Sequence, residues 1–452
     1  MSRLAAYRRR MLFNNSRFYG PQGRISCTPP QISMIKGPNG DLFVAGMHGS
    51  ATGPVSQMQI MQYDQYTGVL KEQVTINHPV NDGGDSHNGP TLFFDASEHL
   101  VTMFAGHDDN RHVYLRRASS PNSAQALLGQ SLVTLSNFWP NPATYVWATY
   151  LSGIGSNGLY IVFGRGGDDY NIGTCAGDLA ITTAGNWIRQ GFLFKETGRV
   201  FYPRFVTNGT NEVHIVAANG RPFTATTADR ALHVSLAADA AGADFPVTGT
   251  VTNEMSFFDS AGTELTYTAA NGFTSTDVTS IWDNTANAAT ESLRCSDVLY
   301  DTLSSDILTS WGKVTKADNS DGSIYYARLT SGSWSVQETD IPWASSASTG
   351  VATWIPHTSL VDTTRSASIY TVIPGINEAW NGEGVIARYE QVAGSNWRQA
   401  DMVSERYENG GQLRAVHNDN GRIGWEAGRW VNTATGDDYD THYRCYPSFG
   451  FS

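Results

Sequence analysis

The sequence predicts an all-β protein, and three observations predict it. Runs of four to eight residues with β-branched and aromatic members recur along the whole chain, bounded by Gly, Asn, Asp and Ser. Charge is sparse: Asp, Glu, Lys and Arg make up 16% of the 452 residues, against about 25% in an ordinary globular domain. Glycines number 45 and aromatics reach 11%, a composition of strands and tight turns. A helical bundle would take more Leu, Ala, Glu and Lys.

The elements follow in order. GDLFVAGMHG, QMQIMQYDQYTG, PTLFFDASEHLVTMFAGH and HVYLRRAS read as strands joined by short turns. GLYIVFGRGG, GDLAITTAGNWIRQG and VFYPRFVTNGTNEVHIVAANG continue the series, then GSIYYARLTSGSWSVQE, ASIYTVIPG, GVIARYEQVAGSNWRQAD and QLRAVHNDNGRIGWEAG. The segment 274–299 is the one candidate for an amphipathic helix. Three stretches share a layout of strand, turn, Trp and strand: AGDLAITTAGNWIRQ, GSIYYARLTSGSWSVQ and GVIARYEQVAGSNWRQ. Repeats of roughly 50–65 residues with Trp hairpins point to a β-propeller, and a chain of this length holds about seven blades. The predicted organisation is a basic arm over residues 1–25 and one propeller over 26–452, with an irregular Ala-, Thr- and Asp-rich insertion around 222–300.

The net charge of −12 argues against a general nucleic-acid binder, which would be basic. It does not exclude an anionic ligand, because a local Arg cluster can focus the field. No stretch approaches the ~18 uninterrupted apolar residues of a membrane span. The start, MSRLAAYRRRMLFNNSRFYG, lacks the apolar stretch of a secretory signal. Arg8 to Arg10 read as a solvated arm or as a docking peptide for a larger assembly. The expected setting is therefore a virion or the extracellular space reached by another route, and otherwise the cytoplasm. The four cysteines, Cys27, Cys175, Cys295 and Cys445, include no CxxC pair and read as buried thiols.

Chemistry concentrates between residues 85 and 221. In DSHNGPTLFFDASEHLVTMFAGHDDN, the segments 90–94 and 100–105 read as a hairpin with DASEH as its turn. His87 and His107 flank its outer end, beside Asn88 and Asp108, while His99 falls at the turn. Imidazole titrates near neutrality unperturbed, so two at one rim suit proton transfer. The plainer reading is that each bonds a turn backbone. Two further hairpins follow the same layout, with Tyr150 and Arg165 at the outer ends of one, and with Tyr202 and Arg204 before the turn of the next and Asn219 and Arg221 after it. Blades around an axis would gather these groups. His, Tyr and Arg together suit β-elimination from a uronate: Arg stabilises the enolate that forms when the C5 proton leaves, His or Tyr takes that proton, and an acid, often Tyr, protonates the leaving oxygen. A hydrolase would want a carboxylate pair, and none stands out in these hairpins. Sialidase Asp boxes are absent as well.

SHNGP, FAGHDDN, TYLSG…GLYIVFGRGG and FYPRF resemble the propeller polysaccharide lyases typified by ulvan lyases, with BNR-type repeats. The likeness spans about residues 80–220. It implies a seven-bladed propeller and a lyase acting on an anionic, uronate-bearing polysaccharide. By that resemblance His87 is the base or shares the role with His107, and Tyr150 is the general acid. Arg165 neutralises the carboxylate, Tyr202 lines the site, and Arg204 and Asn88 help hold the chain. No cofactor is required for the chemistry. Members of the family can carry a structural metal, whose ligands the sequence does not place. The lack of a signal and the basic start differ from secreted lyases and fit delivery on a phage virion. A glycan-binding propeller without catalysis shares all of these features except the reaction.

Overall fold

The computed structural model describes residues 18–19, 34–48, 57–64, 69–79, 89–106, 111–219, 228–239, 254–288, 290–293, 297–315, 322–341, 357–361, 366–374, 384–393, 396–402, 412–415, 423–433 and 436–446. Their strands form seven antiparallel sheets. All but the last are built from consecutive chain, as short turns between strands dictate.

The first sheet runs Met34–Lys36, Leu42–His48, Gln57–Tyr63 and Leu70–Asn77. The second runs Thr91–Phe94, His99–Ala105, Val113–Pro121 and Val133–Leu135. Ala143–Leu151, Leu159–Gly166, Asp169–Ala176 and Ile188–Phe194 make the third. The fourth is Tyr202–Thr207, Glu212–Ala218, Arg230–Asp239 and Glu254–Phe258, with Thr279–Asp283 also paired to its third strand. In the fifth, Asp297–Tyr300 and Glu291–Leu293 both pair with Ile307–Thr315, followed by Gly322–Thr330 and Ser333–Glu338. His357–Val361, Ser366–Pro374, Gly384–Ala393 and Asn396–Met402 form the sixth. The seventh joins Gln412–Ala415, Ile423–Thr433 and Gly436–Tyr446 to Phe18–Tyr19 from the other end of the chain.

First strands of successive sheets lie side by side, as 34–36 does with 91–94, 91–94 with 143–151, 202–207 with 297–300, and 357–361 with 412–415. The ring closes where Phe18 pairs Tyr443 and Tyr19 pairs His442. This is a β-propeller.

Two sequence boundaries are corrected. Phe18 and Tyr19, assigned to a basic arm, are the outer strand of the last sheet; two residues carry no readable period. The region 222–300 is not an insertion between blades, because Arg230–Asp239, Glu254–Phe258, Thr279–Asp283 and Glu291–Leu293 are strands of the fourth and fifth sheets. The described residues of the helix candidate at 274–299 are strand and turn, with one short 3₁₀ turn at Thr285–Asn287.

The core lies between the sheets. Both faces of a central strand are covered, so Leu159–Gly166 is buried along nearly its whole length and reads as a continuous apolar run. Between the third and fourth sheets, Phe205 stacks on Phe163 at 4.5 Å and on Trp147 at 5.0 Å. The Trp hairpins are the outer strand pairs, and their indoles tie each sheet to the one before. Trp187 joins the cluster shared with the second sheet, Trp397 meets Tyr326 edge-on at 5.3 Å, and Trp334 Nε1 donates to Ser260 Oγ at 2.7 Å.

Candidate functional site

In every meander, the start of the first strand and the end of the second share one end of the sheet. We call it the open end; the first turn closes the other. In the second sheet, Thr91 pairs Met103 and the turn sits at 95–98. Asp95 Oδ1 accepts from the Ser97 and His99 amides at 2.9 Å each, and His99 Nδ1 donates to Ala118 O at 2.8 Å, so His99 is bound into the closed end. His87, Asn88 and His107 lie outside the described residues, as do Asp108 and Arg221.

In the third sheet the register decides more. Thr144 pairs Arg165, whereas Tyr150 pairs Tyr160 beside the turn at 152–158. Tyr160 and Arg165 are five residues apart on one strand, about 17 Å at ~3.3 Å per residue. The expectation that Tyr150 and Arg165 share an end is therefore corrected: the first strand starts at Ala143, not near Thr149, and this moves Tyr150 to the closed end. There its hydroxyl donates to Asn157 O at 2.8 Å and its ring lies 4.8 Å from that of Tyr160. Gly158, at φ +79°, passes beneath; a Cβ there would come 2.3 Å from the Tyr150 hydroxyl. Burial, then the Asp95 charge, push the Tyr150 phenol up.

Arg165 is at the open end, and two tyrosines meet it. Its guanidinium carbon is 5.6 Å from the centre of the Tyr145 ring and 5.8 Å from that of Tyr202, while the two rings stand edge to face at 6.2 Å. Such placements favour a cation by the ring quadrupole. Tyr145 was not singled out from the sequence. It sits in a bulge between Thr144 and Trp147 with φ +54°, the left-handed region that a bulky residue enters at a cost of order 1–3 kcal/mol. The bulge turns a third-sheet tyrosine toward the fourth sheet.

The guanidinium is held from below as well. Nε donates to Gly167 O and Nη2 to Asp168 Oδ1 at 3.0 Å, with the Arg165 side chain 16% exposed and that of Asp168 71% exposed. Gly167 at φ +68° makes the tight turn that returns Asp168 to the arginine. Gly164 and Gly166 leave the opposite strand face bare, and Trp139 fills it; a Cβ on Gly164 would meet its indole nitrogen at 2.9 Å. Burial pulls the Arg165 pKa down, but Tyr202, Tyr170, Tyr145 and Asp168 more than offset it, and the group stays cationic.

Tyr202 begins the first strand of the fourth sheet opposite Ala218, also at the open end, and is half-buried. The segment leading to it is anchored by Arg199, whose Nη1 donates to Asp229 Oδ1 at 2.8 Å and Asn219 O at 3.1 Å, and whose Nη2 donates to Ala228 O at 2.7 Å. Asp229 Oδ2 in turn accepts from Ser292 Oγ at 2.8 Å. A buried ion pair so fully hydrogen-bonded fixes position more than it adds stability. Asn219 accepts the Arg230 amide at 2.6 Å and is fully buried, which makes it part of this anchor. Arg204, expected at the rim, is buried mid-strand opposite Val216.

Among the described residues no group of three or more His, Cys, Asp or Glu offers a metal site. Cys175 is buried in the third sheet, and burial pushes its thiol up to about 12, unlike a metal-binding thiolate. No helix among the described residues is long and apolar enough to cross a membrane.

No family model matches the chain, and no curated protein matches its sequence. Among solved structures, the polysaccharide lyase Uly1 is similar over 99% of this chain and 96% of its own, with a TM-score of 0.58 at 12% identity. They share the propeller fold. Fainter likenesses are an α-L-arabinanase of Penicillium chrysogenum, with 12% identity over 96% and 98% of the chains and a TM-score of 0.39, and the Cps50 (Swd1) propeller of Myceliophteria thermophila, with 10% over 95% and 98% and a TM-score of 0.43.

Proposed function

We propose that this propeller is a glycan-active enzyme, a polysaccharide lyase that cleaves an anionic, uronate-bearing chain by β-elimination. One observation carries the reading: a permanent cation, Arg165, is framed by two phenols from adjacent sheets at the open end. A uronate carboxylate replaces Asp168 on Arg165 as the substrate's anion. The guanidinium then stabilises the enolate that develops when the C5 proton leaves. Tyr202, the more open phenol, donates its proton to the glycosidic oxygen as the C4–O bond breaks, leaving a C4–C5 double bond. Tyr145, almost fully buried, positions Arg165. His87, alone or with His107, takes the C5 proton; that role rests on the sequence resemblance. Tyr150, proposed as the acid on sequence grounds, is replaced in that role by Tyr202, because the register puts Tyr150 at the wrong end.

The fold of Uly1 supports a propeller scaffold for such chemistry, and Arg165 supports the anionic substrate class. A non-catalytic glycan-binding propeller is the second reading, favoured by the same exposed cation–aromatic surface. A screen of algal and bacterial polyuronates for unsaturated oligosaccharides by mass spectrometry separates the two. The lyase reading expects products lighter by one water than hydrolytic fragments; retention of intact polymer without any cleavage supports the binding module.

A further inference from the structure

A continuous hydrogen-bonded chain runs through the outer half of the fourth sheet and ends on the fifth. Glu212 Oε1 is 3.2 Å from His214 Nε2, and His214 Nδ1 is 3.2 Å from His233 Nε2. His233 Nδ1 is 2.8 Å from Ser260 Oγ, and the same Oγ is 2.7 Å from Trp334 Nε1. The antiparallel register builds it: His214 pairs Ser235 two residues from His233, and Thr279 pairs His233 while its hydroxyl accepts the Ser260 amide at 2.9 Å.

Burial pushes the Glu212 carboxyl up, but the bond and the electrostatic pull of His214 together outweigh it and hold the group ionised, so it only accepts. In the arrangement that leaves a lone pair for Ser260, His214 donates from Nε2 and accepts at Nδ1. The Nδ1 lone pair takes the proton of His233 Nε2, which leaves a lone pair on His233 Nδ1. At the other end an indole N–H only donates. Trp334 occupies an Oγ lone pair, and the Ser260 hydroxyl proton points to His233 Nδ1. These tautomers satisfy the network from end to end. Burial, then His214, hold His233 well below its ordinary pKa, so it is a neutral base at neutral pH.

We propose that Ser260 is an activated nucleophile and that the chain Ser260–His233–His214–Glu212 is a second, acyl-transferring site, which takes a small carboxylic ester. The arrangement has the parts that activate a serine: a hydroxyl on an imidazole lone pair, the base oriented by a further group, and a carboxylate behind. Both rings are held, His214 stacked on Tyr300 at 5.9 Å and His233 edge-on to Trp334 at 5.3 Å. Ser260 lies in a turn tied by Asp259 Oδ1, which accepts the Ala261 amide at 2.9 Å and the Thr263 amide at 2.8 Å. The serine is partly open to solvent while His233 is buried, which is the order a nucleophile and its base require. Oγ attacks the ester carbonyl carbon as its proton passes to His233 Nδ1, and the carbonyl π pair moves onto the carbonyl oxygen. The ester C–O bond then breaks and the alcohol leaves with that proton. Water, deprotonated by His233, releases the acid and restores Ser260. None of this depends on the Arg165 rim.

The test is labelling of the full chain with a fluorophosphonate, in which Oγ displaces fluoride, followed by peptide mass spectrometry. One probe should be found on Ser260, and Ser260→Ala and His233→Gln should lose it. Glu212→Gln should slow labelling at least ~tenfold by loss of the orienting carboxylate, and Arg165→Ala should label like the wild type. The wild-type result alone decides if His233→Gln fails to fold. No label, or label elsewhere, under conditions that saturate a serine protease overturns the proposal and leaves the chain as a tie between sheets.

Discussion

The first hairpin of the third sheet carries the motif Ala-Thr-Tyr twice, at 143–145 and 148–150, and its two ends use the tyrosine differently. At the closed end Tyr150 donates to a turn carbonyl and covers a left-handed glycine. At the open end Tyr145 is itself in the left-handed region and faces a cation and a second sheet's phenol. The residue type is the same, the strand is the same, and the environment is opposite. At the closed end the Tyr150 hydroxyl is satisfied by its own sheet's turn. The open end joins groups from two sheets and holds its arginine against an exposed carboxylate.

Changes at the open end should affect activity, and changes at the closed end should affect stability. The largest effect is expected from Arg165→Ala, with kcat/KM on a cleaved polyuronate falling ~10²- to 10³-fold while the melting temperature changes little. Tyr202→Phe should follow, a loss of about 10²-fold with weaker change in KM, as removal of an acid requires. A KM effect alone would assign Tyr202 to binding. At the closed end, Gly158→Ala meets both a left-handed backbone and the Tyr150 hydroxyl, and denaturant melts should show a loss of about 2 kcal/mol or more with turnover of the folded protein intact.

A buried histidine sharpens the contrast by pH. His233 has its folded pKa held well below 6.5, by burial and by His214. The unfolded chain therefore binds this proton first. The contribution to stability is full above about pH 6.5 and is lost as pH falls from there toward the folded value, by at most about 1.4 kcal/mol per pH unit. Unfolding free energies measured across that range should show the slope, and His233→Gln should flatten it. The smallest effect is expected from Tyr150→Phe: about 1 kcal/mol of stability for the bond to Asn157, with activity unchanged. A large activity loss there would move the site to the closed end.

The architecture was readable from the sequence where period and punctuation were strong. The hairpins over 91–105 and 202–218 and the Trp hairpins stand where the strand runs and glycines put them. Three features were not readable for physical reasons. A two-residue closing strand, Phe18–Tyr19, has no period and is set by pairing with the far end of the chain. The strands within 222–300 are separated by longer connections, which hid their membership of the fourth and fifth sheets. The bulge at Tyr145 depends on packing against the fourth sheet, so the choice between the two Ala-Thr-Tyr copies turned on a strand boundary, the least legible feature of a sequence. The placement of Arg165 and Tyr202 at the open end follows from the glycines and the strand start that mark them. Arg204 shows the limit: residue type suggested an anion ligand, and burial removes it from the rim.

Ultraviolet absorbance of unsaturated product, followed with wild type, Arg165→Ala and Tyr150→Phe on the same uronate polymer, tests the central claim most directly. The wild type and Tyr150→Phe should rise alike while Arg165→Ala stays flat. No rise from the wild type on any uronate polymer, or an undiminished rise from Arg165→Ala, would contradict a carboxylate-binding, eliminating site at the open end.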